Sequence, residues 1–314
     1  MRQQKLAPSS EASGTTDLGS ATPSGLTRAP AKSVKSYGRI GDLEVRLATT
    51  KADVQQAQAL RYQVFYEEMT AKPNVIAKLR RRDEDPYDAI CDHLLVVDVS
   101  GRPLGQPTSR WNSGRVPQVV GTYRVLRQDV AERTNGFYTQ GEYDIAPLIA
   151  SKPNNHFLEL GRSCVLKPYR NKRTVELLWH GLWTYVRETG VDVMLGCASF
   201  PGTNPEDHAT ALSFLHHNAL APEEWRCRAH EELFVPMDRM PPDAIDTRTA
   251  LKTLPPLIKG YLRLGAFVGD GAVIDHQFGT TDVMVIMPVQ SIDPRYFEHF
   301  GAPDERQSRI SSAR

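Results

Sequence analysis

The sequence lacks several features that would place it directly in a familiar class of proteins. It contains no apolar run approaching the roughly 18 residues that a membrane-spanning helix needs, and its N-terminus has no signal-peptide pattern. Its 38 basic and 37 acidic residues nearly cancel, so the composition gives no reason to expect a nucleic acid partner. We therefore expect a cytoplasmic protein, with at most peripheral contact to the inner membrane.

Cysteine is scarce, and neither cysteine nor histidine is spaced as in a metal site. The four cysteines, at positions 91, 164, 197 and 227, form no CxxC pair, which excludes a zinc ribbon and fits unpaired thiols in a reducing compartment. The nine histidines never occur as HExxH, and we predict no metal site. Cys197 ends a predicted strand, but no nucleophile-elbow motif accompanies it, so we interpret it as an inert packing residue.

Composition divides the chain into a body and two tails. Residues 1–37 are rich in Ser, Thr, Ala, Pro and Gly without apolar periodicity, which predicts a disordered tail. Residues 38–300 are expected to form one domain with a C-terminal extension from about residue 240, followed by a flexible tail at 301–314.

Apolar periodicity predicts an alternation of strands and helices. The predicted strands are 43–48, 93–98, 119–126, 157–166, 191–198, 231–240 and 282–287. The predicted helices are 51–69, capped by Thr50, a helix carrying the apolar positions from 175 to 186, and 208–220. Strands 93–98 and 119–126 are expected to pair as an antiparallel hairpin.

The stretch from Val119 to Arg173 organises the rest of the chain. Glu159 and Arg162 interrupt the apolar strand 157–166, and Gly161 between them predicts a bulge or a close approach of backbones. The basic turn 167–173 then leads into a helix, whose free N–H groups favour an anion.

Other charged residues have both a chemical and a structural interpretation. Asp85 and Asp88 could bind an ammonium group or act as a base, or they could be an ordinary solvated turn. Arg124 and Arg162 lie among apolar residues, so each must meet a carboxylate, either of a substrate or of the protein, for example Glu159 with Arg124.

Four short motifs, in this order, carry a family resemblance. They are Leu60-Arg61 to Phe65, Asp85-Pro86-Tyr87-Asp88, Gly121-Thr122-Tyr123-Arg124 and Glu159-Leu160-Gly161-Arg162. Together with the element order they resemble the GNAT acyltransferases over residues 43 to 300, and in particular the branch of acyl-homoserine-lactone synthases and ornithine N-acyltransferases. The resemblance implies an α/β (α+β) fold with a central mixed, mostly antiparallel, twisted sheet flanked by helices.

Further segments resemble the ornithine-lipid enzymes, also known as hemolysin-like proteins. These are Phe65-Tyr-Glu-Glu68, Cys91 to Val96, Gly161 to Val165 and Pro255 to Ala266. The resemblance implies transfer of a 3-hydroxyacyl chain from acyl carrier protein to the α-amine of ornithine, giving lyso-ornithine lipid without a bound cofactor. One departure is Arg173, which stands where the GNAT pyrophosphate loop has its first glycine; the added charge suits a phosphopantetheine arm on an acidic carrier.

The resemblance implies roles for individual residues, since an amine attacking a thioester needs a base and an oxyanion site. Glu159 is expected to accept the proton, Asp85 and Asp88 to hold the ammonium groups, and Gly161 to present backbone N–H groups to the oxyanion. The full expected set comprises catalytic Glu159, Arg162, Asp85 and Asp88; substrate-binding Arg61, Phe65, Glu68, Arg124 and Gly161; and carrier-binding Arg170, Lys172 and Arg173.

Two other functions fit the same residues. One is an acyl-homoserine-lactone synthase that uses S-adenosylmethionine as amine donor, and the other is a non-catalytic module that binds the carrier or a membrane. Segment 254–268 combines apolar residues with Lys259 and Arg263, which predicts loose membrane attachment, although a core helix with two exposed charges has the same pattern.

Overall fold

The structure, a computed structural model, describes residues 34–101 and 117–292. Its strands are β1 (Ser36–Ile40), β2 (Leu43–Leu47), β3 (Asp92–Asp98), β4 (Gln118–Arg127), β5 (Tyr143–Asp144), β6 (Phe157–Val165), β7 (Val193–Pro201), β8 (Arg228–Ala229), β9 (Phe267–Asp275) and β10 (Thr280–Pro288). Its α-helices are α1 (Lys51–Tyr62), α2 (Val75–Arg80), α3 (Gln128–Ala131), α4 (Ala146–Ala150), α5 (Lys172–Thr189), α6 (Ala209–Ala219), α7 (Thr247–Thr253) and α8 (Pro256–Arg263). None of these helices is long and apolar enough to cross a membrane.

The strands form one mixed sheet in the order β1-β2-β3-β4-β6-β7-β10-β9-β8-β5. Neighbouring strands are antiparallel except β6 with β7 and β8 with β9, which are parallel. Helix α5 packs across β1 to β4, and α1 packs against β4 and β6. The observed architecture therefore confirms the expected α+β fold with a mostly antiparallel sheet flanked by helices.

Local sequence signals explain where the principal helices begin and end. The Thr50 hydroxyl accepts the Asp53 N–H and the Asp53 carboxylate accepts the Thr50 N–H, which forms the predicted cap of α1 as a reciprocal capping box. The helix then continues as a π-helical turn, Gln63–Glu68. Asn171 caps α5 at its start, and Gly190 ends it in the left-handed conformation that favours glycine.

The structure differs from the sequence prediction at residues 36–37 and at residues 231–240. Strand β1 begins at Ser36, inside the segment predicted to be a disordered tail, because it pairs with β2 at the sheet edge. The predicted strand 231–240 is a series of turns, and only Val235 makes a bridge, to Ala272. Pro236 explains this difference, since proline has no N–H to continue a ladder. Residues 1–33 and 293–314, which include the predicted C-terminal tail, lie outside the described residues.

The sheet opens between β6 and β7. These strands pair only from Phe157 to Glu159, although both continue for several more residues. Gly196 stands just beyond the last pair, with φ of 152°, and a Cβ there would overlap the carbonyl oxygen of Leu160. A glycine at this position therefore allows the two backbones to touch at the point where they separate.

Candidate active site

A cavity of about 460 Å³ lies where β6 and β7 separate. One wall is formed by Gly161 to Val165 of β6, and the other by Cys197 to Ser199 of β7 and by residues of β10. Apolar side chains, among them Phe65, Met69 and Leu257, line much of the remaining surface. The cavity thus combines room for an apolar chain with a polar region at the opening of the sheet.

A bulge in β6 shapes the first wall. Thr122 pairs with Cys164 and Arg124 with Gly161, so both Arg162 and Ser163 face Tyr123 alone. Arg162 has φ of 51°, the left-handed conformation that is uncommon for residues with a side chain. The predicted bulge is therefore present one residue after Gly161, where Arg162 and Ser163 lie opposite the single residue Tyr123 and neither is paired in the ladder with β4.

Behind this wall, six charged side chains form a closed ring of ion pairs. In order around the ring they are Arg61, Asp83, Arg162, Asp85, Arg124 and Asp88. The nitrogen-to-oxygen distances around the ring range from 2.6 to 3.3 Å. Each arginine bridges two aspartates, so the ring carries no net charge and satisfies the requirement that buried charges be paired.

The ring is rigid at its buried end. Arg61 is 0% exposed, and its guanidinium donates to both carboxylate oxygens of Asp88, at 2.9 and 2.8 Å. Burial opposes ionisation of Asp88, but the hydrogen bonds and charge of Arg61 outweigh it and hold the pKa of Asp88 well below its usual range. Neither residue lines the cavity. Asp88 holds Arg124 directly, and Arg61 is linked to Arg162 through Asp83, so both act on the cavity by positioning these two arginines.

Arg124 and Arg162 are the members of the ring that reach the cavity. The Arg162 guanidinium lies 5.0 Å from the ring centroid of Tyr138 and 4.4 Å from that of Phe278, so aromatic faces hold it on two sides. Arg124 pairs with Asp85 and Asp88, and not with Glu159 as one interpretation of the sequence proposed.

Glu159 occupies the point where β6 and β7 separate. Its carboxylate accepts the N–H of Tyr138 at 2.8 Å and that of Thr139 at 2.6 Å, and it also accepts the Thr139 hydroxyl. Glu159 thereby anchors the 3₁₀ turn Tyr138–Gly141 to the sheet. Burial raises the pKa of Glu159, whereas these hydrogen bonds oppose the increase.

The basic turn before α5 is only partly at the cavity. Arg170 lines the cavity and pairs with Glu68 at 2.6 Å, which ties this turn to the end of the first helix. Lys172 and Arg173 are exposed, and Lys172 lies 3.6 Å from Glu176 of the same helix. The three cations therefore form a surface that begins at the cavity and extends outward.

A second acidic group on the opposite wall was not predicted from the sequence. Carboxylate oxygens of Glu142, Asp275 and Asp282 lie within 4.8 Å of one another. Burial raises the pKa of Glu142 to about 7 and that of Asp282 to about 6, and the charge of Asp282 contributes to the first shift and that of Asp275 to both. The Cys197 thiol donates to Glu142 at 3.1 Å. Burial raises the pKa of Cys197 well above its ordinary value, which keeps the thiol protonated.

The structure separates the predicted residues into two groups. Those that line the cavity are Phe65, Arg124, Glu159, Gly161, Arg162 and Arg170. Those that do not are Arg61, Glu68, Asp85, Asp88, Lys172 and Arg173. Asp85 and Asp88 were expected to be available to an ammonium group, but their carboxylates are already bound by arginines. The sequence analysis did not identify Asp83, which completes the ring. It also missed the group of Glu142, Asp275 and Asp282. An acidic residue at the start of an apolar strand, Asp282, was a local sign that a charge is buried there.

The chain is similar in sequence to known acyltransferases. Residues 60–180 match the model of the acetyltransferase (GNAT) domain. The chain is 54% identical over 280 residues to the L-ornithine N(alpha)-acyltransferase of Rhizobium meliloti (strain 1021), covering 89% of this chain and 90% of that protein. It is 39% identical over 257 residues to the protein of the same name from Rhodobacter capsulatus, covering 82% of this chain and 94% of that protein. A solved structure of an N-acyl amino acid synthase from uncultured soil microbes superposes with a TM-score of 0.40 at 9% identity, over 79% of this chain and 92% of that chain.

Proposed function

Because the chain belongs to the L-ornithine N(alpha)-acyltransferase family, we propose that it transfers a 3-hydroxyacyl group from an acyl thioester to the α-amine of L-ornithine, giving lyso-ornithine lipid. The identity of more than half of the aligned residues over nearly the full length of the Rhizobium meliloti protein carries this proposal. The cavity supports it, since an apolar chain and a small polar acceptor need an apolar region beside a charged one.

In this proposal the neutral α-amine attacks the thioester carbonyl, a C–N bond forms, and collapse of the tetrahedral intermediate breaks the C–S bond. Glu159 accepts the amine proton directly or through water and returns it to the leaving sulfur, so that the carrier is released as a thiol. The location of Glu159 at the separation of β6 and β7 supports this role, because both walls of the cavity meet there. Backbone N–H groups at the bulge beside Gly161 would stabilise the oxyanion.

Arg124 and Arg162 would bind the carboxylate of ornithine. Both line the cavity, and guanidinium groups present several donors in one plane, which suits a carboxylate. Arg61 and Asp88 act through them, as positioning residues behind the wall. We further propose that the donor is acyl carrier protein rather than coenzyme A, supported by the exposed cations at Lys172 and Arg173 and by the absence of the glycine that a pyrophosphate loop would have at 173.

The test is a reconstitution with purified protein and mass spectrometry of the products. We expect acylated ornithine from 3-hydroxyacyl carrier protein and much less from the matching acyl-coenzyme A. Replacing ornithine with S-adenosylmethionine should give no homoserine lactone. Product only from S-adenosylmethionine would assign the chain to the lactone synthases, and no product from either acceptor would favour a non-catalytic module.

The role of Glu159 has its own test. Glu159→Gln should lower kcat and kcat/KM together by a factor on the order of 10²–10⁴, with little change in the ornithine KM, and should remove the acidic limb of the pH–rate profile. Glu231→Gln is the matched control, since Glu231 is exposed and does not line the cavity. Because Glu159 also anchors the turn Tyr138–Gly141, the melting temperature must be measured beside the rates. If Glu159→Gln keeps the acidic limb of the pH–rate profile, Glu159 is not the base and serves only to anchor the turn Tyr138–Gly141.

A further inference from the structure

The wall formed by Glu142, Asp275 and Asp282 holds more negative charge than the protein itself compensates. Within residues 34–101 and 117–292, no lysine, arginine or histidine forms an ion pair with any of the three. This contrasts with the charge ring across the cavity, in which every carboxylate is paired. Asp282 is buried, and Glu142 and Asp275 are half-buried. The charge of Arg162 lowers the pKa of Glu142 and Asp282, but it does not outweigh burial and the mutual repulsion of the carboxylates. Ionising all three is therefore unfavourable unless a ligand supplies further positive charge.

Unsatisfied polar atoms on the same wall indicate where that ligand would bind. Asp282 is 6% exposed, lines the cavity, and its Oδ1 atom makes no hydrogen bond within the described residues. The hydroxyls of Ser199 and Thr280 lie beside this carboxylate and partly offset the rise in its pKa that burial causes. The Thr280 hydroxyl is also buried and lines the cavity, and like Asp282 Oδ1 it has no hydrogen-bond partner within the described residues. Buried polar atoms are nearly always bonded in native proteins, so these two await a partner that enters through the cavity.

The acidic wall is also linked to the proposed reaction centre. Glu142 directly follows the turn Tyr138–Gly141, which is anchored by Glu159 at its other end. An acceptor with its α-amine at Glu159 and its carboxylate at Arg162 would therefore direct its side chain toward Glu142. An alkylammonium group fits there, since it offers three donors and one positive charge to carboxylates that can only accept when ionised.

We propose that Glu142, Asp275 and Asp282 bind the side-chain ammonium group of the acceptor amino acid, and so select a cationic substrate. This proposal rests on the proposed function, because it concerns the acceptor of the same reaction. It gives Asp85 and Asp88 a structural role, and it assigns the recognition of the ammonium group to Glu142 and to two residues of the β9–β10 hairpin, Asp275 and Asp282.

The test compares L-ornithine with L-norvaline, which has the same carbon chain without the side-chain amine. The wild-type enzyme should prefer ornithine by roughly 100-fold or more in kcat/KM, because a buried polar site rejects an analogue that leaves it unpaired. Asp282→Asn and Glu142→Gln should each reduce this ratio by about tenfold or more, mainly through the ornithine KM. Asp129→Asn, on the surface in ion pairs with Arg127 and Arg133, should leave the ratio unchanged.

The outcomes separate this proposal from the proposed function. If the wild-type protein acylates ornithine but both variants retain the ratio, the acidic wall does not recognise the acceptor, while the function stands. If the wild-type protein acylates neither amino acid, the proposed function itself fails. Calorimetric titration with Mg²⁺ and Ca²⁺ tests whether the three carboxylates form a metal site instead. If the wild-type protein binds either ion and Asp282→Asn does not, the proposal is overturned. If Asp282→Asn does not fold, because Asp282 is the more deeply buried residue, Glu142→Gln still tests the proposal.

A separate observation concerns helix α2. Its Val75, Ile76 and Leu79 are 81%, 59% and 84% exposed, which is unusual for three large aliphatic side chains on two turns. Lys72 and Lys78 flank them, and neither has an acidic partner among the described residues. The N–H of Lys72 donates to the carbonyl of Gln277, so the base of this segment is fixed to the turn between β9 and β10.

The geometry points to α2 as the surface through which the protein contacts an anionic lipid membrane. Exposed aliphatic side chains beside lysines suit the boundary between headgroups and acyl chains. Met69, 44% exposed, lies shortly before α2 and also lines the cavity, so an acyl product could leave the cavity beside this surface. Segment 254–268, where membrane contact was predicted, forms α8 and the start of β9 and buries Ile258 and Tyr261 in the core.

Vesicle sedimentation tests this assignment. The wild-type protein should bind phosphatidylglycerol vesicles at low salt and phosphatidylcholine vesicles much less, because the charge of the lipid contributes. Changing Val75, Ile76 and Leu79 to serine should reduce binding about tenfold or more, whereas Val175→Ser with Leu251→Ser, exposed apolar residues elsewhere, should not. Equal binding by both variants would overturn the assignment. The assignment would also be overturned if the triple serine variant kept its vesicle binding but had a higher KM for the carrier protein. That result would make α2 a carrier-docking surface.

Discussion

Replacing Asp282 with asparagine should make the protein more stable at neutral and alkaline pH. Burial and the charge of Asp275 raise the pKa of Asp282 from 3.8 to about 6. Asparagine has nearly the same shape, carries no charge, and its amide can donate to the neighbouring carboxylates. The substitution therefore removes an unfavourable charge while leaving the strand pairing of β10 with β7 and β9 in place.

The pH dependence of this stability difference follows from proton linkage. Since the folded pKa lies above the unfolded value, the folded state binds more protons between these two values, and wild-type stability falls as the pH rises from about 4 to about 6. A difference of roughly two pKa units corresponds to about 3 kcal/mol, as an upper limit. The advantage of Asp282→Asn should grow over this range and stay constant above it. The charge of Asp282 also raises the pKa of Glu142, so the stability gains from replacing Asp282 and from replacing Glu142 should not be additive.

The measurement is urea denaturation of the wild-type protein, Asp282→Asn and the control Asp129→Asn at several pH values between 4 and 8, with and without ornithine. Ornithine should stabilise the wild-type protein more than Asp282→Asn, because it supplies the missing positive charge. A variant that is less stable than wild type by the same amount at every pH would refute the reasoning. It would mean that Asp282 is satisfied in the folded protein.

Two further predictions concern the other charged groups. Asp88→Asn should destabilise the protein by about 3–5 kcal/mol, because it leaves the buried Arg61 without its bidentate partner; denaturation curves that coincide with wild type would contradict the closed ring. Reversing the charges of Arg170, Lys172 and Arg173 should raise the KM for the carrier protein and weaken its salt dependence, which initial rates at two ionic strengths will show. An unchanged KM would exclude this turn as the carrier surface.

Local sequence patterns were sufficient to predict an element or a charge requirement when the evidence for it lay in neighbouring residues. The apolar period of α1, the cap at Thr50 and the alternation in β2 are local properties, and all were predicted. So were the bulge beside Gly161 and the need of Arg124 and Arg162 for carboxylate partners. Burying an arginine without a partner is costly in any fold, which is why this requirement could be stated before the partners were known.

The identity of those partners depended on the tertiary structure. The ring closes only because α1, the loop holding Asp83 to Asp88, β4 and β6 meet behind one wall, and no local pattern distinguishes Asp83 from an ordinary charged turn. The acidic wall likewise joins Glu142 to residues more than a hundred positions away in the chain. A sequence pattern reports which face of an element is buried, but the charges that this face meets are set by long-range packing. The sequence by itself thus determined six of the strands, the three longest helices and which charges must be compensated. The separation of β6 from β7 decided which of those charges a substrate can reach.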